Sequence, residues 1–540
     1  MLFKKWTMRV FLVFLCSIIG FSCLAQTNSA SADVIWGEEL REPSGSYIDK
    51  LISFGSWGFY ALRKKEASSF RKASVYIERY DSNLKLRKSK ELNLKYKKKT
   101  RLFEDLILVG GELYLFTSFN NRSQKKNYLF AQKINRKRLI PEKKLTKIGE
   151  ISTKSEHRAG QFDIEISKDS SKVLVYNQLP YQKREPERFA FRVYDNQFNS
   201  IWEKDITLPY NDEKFEVKEY SVDNQGNIYV LGIIYQDRNR RERGGRPTYQ
   251  YTILSYTGQG EKFQEYKISL GDKFISELTF RIDRNGHLVC SGFYSEKNSY
   301  SVKGTYFFRL DPITEEVLNI NSKEFDFEFR SALLSRSGKR RAEQAERQNN
   351  TRKEPELLNY ALDDLILRSD GGALLIAEQF FVRQYAVRDF FDPRSRFGGS
   401  TLRYDYYYNY NDIIIVNIKP TGEIEWATRI PKIQETLNDG GYYSSYAKAI
   451  VRDKIYFVYN DNNRNFSKDS KRIYNFNGRN SVIAVTEVSI DGSTQKFPLF
   501  SNRDAGVITR PKICKQVGLR KMVIFGEQGR TYRFGNLSFE

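Results

Sequence analysis

The amino-acid sequence predicts an all-β fold of eight repeated units, each a sheet of four short antiparallel strands. Three observations carry that expectation. A strand–turn–strand motif recurs along the chain. Further apolar-alternating strands follow the better copies. The last copy stops one strand short, while a matching strand stands near the N-terminus.

The chain begins with a basic stretch (Lys4, Lys5, Arg9), then the apolar run Val10–Phe21, then Ser22-Cys23-Leu24-Ala25. This is the grammar of a cleaved secretory signal, with cleavage expected after Ala25. The run is shorter than the ~20 apolar residues a spanning helix needs, and no later stretch approaches that length. Cys23 offers a lipoprotein alternative, but Gly20 stands where a lipobox places an aliphatic residue. Residues 1–25 are therefore read as a signal peptide, and 26–540 as one repeat domain with loop insertions at 326–360 and 381–411.

The best copy of the repeat is Ser221–Gly232, followed in register 60 residues later by Arg281–Gly292. Asp and Asn suit side-chain turns, and Gly supplies the left-handed position. Weaker copies are Val109–Leu115, Asp169–Val175, Ser369–Ile376 and Arg452–Val458, with degenerate ones at Ser56–Ala61 and Gly518–Ile524. Third strands follow at Phe189–Asp195, Tyr251–Tyr256, Thr305–Asp311 and Asp412–Ile418, and fourth strands at Ile201–Ile206 and Ile424–Ile430. Repeated four-stranded antiparallel units are the blades of a β-propeller, here eight, with seven as the alternative. Asp33–Leu40 resembles the fourth strand Ile424–Ile430 and is expected to complete the last blade, removing an open sheet edge. The turn resembles the Asp-x-x-Gly-Asn-x-Tyr-Val-x-Gly pattern of bacterial β-propeller repeats. The signal style and the many Tyr and Lys resemble uncharacterised exported proteins of Bacteroidota. That resemblance implies the periplasm or the outer membrane, with secretion as an alternative. The chain ends inside the last blade, with no separate sorting domain expected after it.

Of four cysteines, Cys16 and Cys23 fall in the signal; Cys290 and Cys514 lie in apolar runs and read as buried thiols. His157 and His287, the two histidines, lie far apart in polar turns, so no metal or haem site and no cofactor is expected. No Gly-x-Ser-x-Gly, phosphate-loop or His-Glu-x-x-His motif occurs, and the chain is read as non-catalytic. The alternative is a carbohydrate-active enzyme using carboxylates in the central funnel. Glu378 attracts notice because repeat alignment sets it against Gly232 and Gly292.

The formal charge is +23, and loss of Lys4, Lys5 and Arg9 leaves +20. In a propeller, the loops from second to third strand and the crossovers from fourth strand to next blade emerge on one face. Seven such loops and the crossover Asp326–Tyr360 carry a net +19. This clustering predicts an anionic partner: an acidic glycan, lipopolysaccharide or an envelope protein. Nucleic acid is excluded by export, and the protein is expected to be monomeric. Two segments on that face are the candidate binding residues. One is the Arg-rich loop with Arg238, Arg240, Arg241, Arg243 and Arg246, suited to forked contacts with anions. The other is the tyrosine run with Arg403, Tyr404, Tyr406 and Tyr407, suited to an interaction surface or to an extended hairpin. The crossover Ser331–Asn350 is polar nearly all round, without an apolar stripe wide enough for firm docking, and reads as a short helix or a partly disordered loop.

Overall fold

The computed structural model describes residues 32–540, apart from 54, 56, 68–72, 97–98, 154–159, 180–184, 238, 240, 333, 349, 351–352, 390–400 and 468–471. The segment expected to be a signal peptide, with Cys23, and also His157, Arg238 and Arg240, thus lie outside the described residues.

The repeat turn shows why these residues make tight strand connections. Val222 ends one strand and Ile228 begins the next. Between them Asp223 Oδ1 accepts the backbone N–H groups of Gln225 and Asn227, both at 2.8 Å. Gly226 sits at φ +91°, a left-handed conformation that a side chain would strain. The second good copy repeats it: Asp283 Oδ1 accepts from Asn285 and His287 at 2.8 and 3.0 Å, and Gly286 has φ +86°. The carboxylate thus does the work of a backbone acceptor, which is the reason for Asp at the head of the motif.

Eight sheets of four or more strands follow one another along the described chain, their strands in sequence order from first to fourth. Sheet 1 begins at Ser46–Ser53, sheet 2 at Leu102–Val109, sheet 3 at Gln161–Ile166 and sheet 4 at Phe215–Val222. Sheet 5 begins at Phe274–Ile282, sheet 6 at Tyr360–Leu367 and sheet 7 at Ala447–Val451. Sheet 8 contains Lys515–Gly518, Lys521–Gln528 and Thr531–Phe539, and takes its outer strand from Ala32–Trp36. That strand pairs antiparallel with Thr531–Phe539, from Ala32 opposite Phe539 to Trp36 opposite Gly535. The pairing expected from the missing fourth strand is present, and Leu40 continues it opposite Tyr532.

The apolar core is divided between neighbouring sheets. Leu62 and Ile77 of sheet 1 meet Leu106 and Leu115 of sheet 2. Phe191 and Trp202 of sheet 3 meet Val230 and Tyr256 of sheet 4, and equivalent clusters join each later pair. Phe525 and Phe534 of sheet 8 pack on Phe59 and Tyr80 of sheet 1. Sheet 8 therefore returns to sheet 1, the cyclic packing of a β-propeller. Each fully buried Phe contributes roughly 2–3 kcal/mol of transfer free energy, so the contacts between sheets dominate stability.

Strand registers also revise two details of the sequence reading. Counted from the turn, Ala377 is the residue equivalent to Gly232 and Gly292, and Glu378 comes one later. Most of 381–411 is not a loop: Ala373–Asp389 and Thr401–Ile418 continue as a paired hairpin beyond sheet 6. The crossover from sheet 5 carries helices α1 (Phe327–Ser331) and α2 (Arg336–Arg347). Helix α2 buries Ala342 and Ala345, a narrow small-residue seam beneath a charged surface.

Candidate functional site: the loop end and the central channel

Because the strands are antiparallel, second-to-third loops and fourth-to-first crossovers lie at the same end of every sheet. Some of the cations counted there are held by carboxylates of the protein itself. Arg63 is 2% exposed; its Nε lies 2.7 Å from Glu78, and a second ion pair joins it to Glu42. Lys303 is held by Glu296 at 2.7 Å, and Arg330 by Glu324 at 2.8 Å. These cations are structural. The Arg-rich loop is different. Glu242–Arg243 pairs with Arg246–Pro247 in a small hairpin, and Arg243 is exposed opposite Arg246. Arg246 reaches Asp272 at 3.3 Å with both side chains more than 70% exposed, a weak solvated pair. Arg241 lies 5.6 Å above the Tyr235 ring.

The tyrosine run lies on the sheet 6 hairpin, where alternation divides it between two faces. Tyr404 and Tyr406 share one face with Phe380 and Val382, all of them exposed. Arg403 and Tyr407 share the other, Arg403 beside Asp405 at 3.3 Å and Tyr407 edge-on to Tyr385 at 5.3 Å. The predicted cluster is thus not one surface. A buried polar network fixes the base of this hairpin. Lys432 is fully buried, with Nζ 2.6 Å from Glu378, 3.0 Å from the Tyr410 carbonyl and 3.1 Å from Gln434. Ser445 donates to the other Glu378 oxygen at 2.7 Å. Burial pushes the Lys432 ammonium below its ordinary range, and the Glu378 carboxylate opposes that shift.

An aromatic groove on sheet 2 went unnoticed in the sequence. The crossover into sheet 2 forms a small hairpin, Lys95–Tyr96 with Lys99–Thr100. Tyr96 lies 5.4 Å from the Phe119 ring and 5.3 Å from Phe130; Tyr128 lies 6.2 Å from Phe130. These rings, with Lys99, Asn121, Gln124 and Lys147, line a cavity of about 760 Å³. The available signal was the lysine run Lys95–Lys99 around Tyr96, but only the fold brings it against sheet 2.

The first strands present a belt of charge: Lys50, Asp105, Glu165, Glu219, Arg281, Asp364, Lys448 and Lys515, one for each sheet. Ion pairs link neighbours: Lys50 with Asp105, Arg281 with Glu219 at 2.5 Å and Asp364 at 3.2 Å, and Lys448 with Asp364 at 2.6 Å. Lys515 of sheet 8 lies near Lys50 of sheet 1, and burial together with that like charge lowers its pKa. Glu165, Arg281 and Asp364 help line a cavity of about 520 Å³ shared by sheets 3 to 7. Burial, with the carboxylates of Asp163 and Glu219 adding to it, pushes Glu165 up to about 7 against the pull of Arg281.

His287 Nδ1 is 3.4 Å from Asp283 and Nε2 is 3.7 Å from Asp311, inside the repeat turns. Cys290 is a buried free thiol whose pKa burial raises; Cys514 is partly buried. Among the described residues, no three His, Cys, Asp or Glu side chains are grouped as metal ligands. No helix among them is long and apolar enough to cross a membrane.

No protein-family model matches the chain. No curated protein matches it either. Solved structures similar to it include the β-propeller domain of the Trilobed protease from Pyrococcus furiosus, at 11% identity and TM-score 0.34, covering 85% of this chain and 97% of that one. The WD40 domain of SCAP from fission yeast is 11% identical with TM-score 0.37, covering 94% of each chain. A mutant of Synechocystis apocarotenoid oxygenase is 7% identical with TM-score 0.33, covering 93% of this chain and 97% of that one. The β-propeller architecture of this chain rests on its own strand ladders and intersheet cores.

Proposed function

We propose that this chain is an exported, non-catalytic binding protein of the cell envelope. Its eight sheets are the blades of a closed ring, and the loop end of that ring docks an anionic glycan, lipopolysaccharide or an envelope protein. The supporting observation is the one-sided placement of charge: the loop segments hold +19 of the mature +20. After the internally paired Arg63, Lys303 and Arg330 are set aside, the Arg241–Arg246 hairpin remains exposed, and the exposed Lys95 and Lys99 of the crossover into sheet 2, outside that count, add to the same end. One-signed charge at one end concentrates anions and speeds their encounter. The test is affinity of the mature protein for an immobilised acidic polysaccharide or lipopolysaccharide. The triple variant Arg241→Ser, Arg243→Ser, Arg246→Ser is expected to bind about tenfold more weakly, as three rim cations contribute a few tenths of a kcal/mol each. Unchanged affinity would overturn the basic-face reading. Cell fractionation should recover the protein in the periplasm or with the outer membrane.

A second reading, a carbohydrate-active enzyme, is favoured by one observation. Glu165 is held near pKa 7 beside Glu219, whose carboxylate accepts from Arg281 and Thr279. Carboxylates with divergent environments are what acid–base hydrolysis of glycosides uses. Turnover on a glycan panel, lost in Glu165→Gln, would replace the binding reading with this one.

A further inference from the structure

We infer that the sheet 2 groove is a binding site for an acidic sugar, a short run of hexuronate residues. This rests on the reading above that the loop end takes anions, and names where and what.

Three features of the groove converge on that ligand. Its floor is Phe119 and Phe130, 8% and 6% exposed, while Tyr96 and Tyr128 stand half-buried beside them. Rings that keep a face or edge in solvent present flat apolar area at low entropic cost, which suits the C–H faces of a pyranose. The cations are set at the rings: Lys99 Nζ is 5.8 Å from the Phe119 centroid and Lys147 Nζ is 5.6 Å from that of Tyr128. A lysine is a compact point charge on a flexible stem, which can meet the single carboxylate of a sugar without the planar geometry a guanidinium fork demands. Lys147 also lies 2.9 Å from Glu150, which holds it at the rim and offsets part of its charge, so Lys99 on the other side supplies the main charge of the groove. Finally, amides line the space between. Gln124 Oε1 accepts from Tyr128 Oη at 2.8 Å and from Asn121 Nδ2 at 2.7 Å, which fixes both amides where sugar hydroxyls would lie. A volume of about 760 Å³ is within the roughly 300–1,000 Å³ typical of small-ligand sites.

The rings come from separate parts of the sheet, which makes the groove a product of the fold. Phe119 ends the second strand, Tyr128 and Phe130 begin the third, and Lys147 lies on the fourth. Arg101, buried at the foot of the crossover, donates to Thr117 at 2.8 Å and Gln132 at 3.0 Å and so anchors Tyr96 and Lys99 over them.

The experiment is calorimetric titration of the mature full-length protein with a short oligogalacturonate and, separately, with its methyl ester, the same sugar without charge. The acid is expected to bind and the ester to bind at least about tenfold more weakly. Tyr96→Ala and Lys99→Ala each should weaken the acid about tenfold. Both positions are on the surface hairpin, so folding is checked by an unchanged thermal midpoint. In about 1 M salt, where the screening length is ~3 Å, the Lys99 effect should shrink and the Tyr96 effect persist. Equal binding of oligogalacturonate by wild type, Tyr96→Ala and Lys99→Ala would overturn the site. If binding then falls only in the Arg241, Arg243, Arg246 variant, the basic-face reading survives without this groove. Tyr96-dependent binding of polyglutamate as tight as that of the sugar would overturn the ligand class. Failure to bind any acidic polymer would overturn both the groove and the acidic-glycan form of the reading above.

Discussion

Glu165 is the residue whose chemistry departs furthest from what its type alone suggests. Its folded-state pKa is raised from 4.5 to about 7, so between those values the folded protein binds more protons than the unfolded chain. Its contribution to stability therefore falls as pH climbs through that window. Replacement Glu165→Gln should flatten the fall. By denaturant unfolding at pH 8 the variant should be more stable by on the order of 1–2 kcal/mol, less than the full shift implies because the site is partly solvated. A steeper pH dependence in the variant would contradict this. Lys432 behaves oppositely. Lys432→Met leaves the Glu378 carboxylate buried with Ser445 as its remaining hydrogen-bond donor, and should cost about 3–5 kcal/mol by the same measurement. Adding Glu378→Leu should recover most of the loss. Neither residue declared its role in sequence. Asp163-Ile-Glu165-Ile reads as an alternating strand, but that its charged side faces a shared channel depends on first strands being innermost. Glu378 and Lys432 are 54 positions apart, and only the hairpin base joins them.

At the scale of elements, the N-terminal strand was the most legible feature because it answers a deficit. The last unit lacks a fourth strand, and Ala32–Trp36 fills that edge, with Trp36 edge-on to Phe500 of sheet 7 at 5.1 Å. Deleting residues 32–41 should lower the thermal midpoint by several degrees and expose Thr531–Phe539 as a free edge. Concentration-dependent aggregation would then appear in light scattering. An unchanged midpoint with a monodisperse product would mean that the strand does not close the ring. The sheet 6 hairpin was only half legible. Alternation in Arg403–Tyr410 suits a strand, yet a run with so many tyrosines also suits a loop surface. Strand parity, which decides that Tyr404 and Tyr406 part company with Arg403 and Tyr407, becomes fixed only by pairing with Phe380–Asp389. The sheet 2 groove was hidden for a related reason. Its rings are contributed by two neighbouring strands and a crossover, and aromatic residues in strands ordinarily read as core.

For the whole molecule, the order of sheets follows from the repeat itself: a turn headed by Asp with a left-handed Gly, then further strands, again and again. The sequence could place charge at one end, because strand direction alternates within each sheet. It could not separate free cations from spent ones, since Arg63 finds Glu78 and Glu42, and Lys303 finds Glu296, only after folding. That distinction narrows the account to exposed groups around the Arg241–Arg246 hairpin and the Lys95–Lys99 crossover. The binding proposed for such an end is electrostatic in its long-range part. The most direct test of that central claim is the affinity of the mature protein for an acidic polysaccharide across a salt series. We predict that affinity falls steeply and continuously with salt, and that the Arg241→Ser, Arg243→Ser, Arg246→Ser variant shows both weaker binding and a shallower slope. Affinity independent of salt, or a slope the triple variant leaves unaltered, would contradict it.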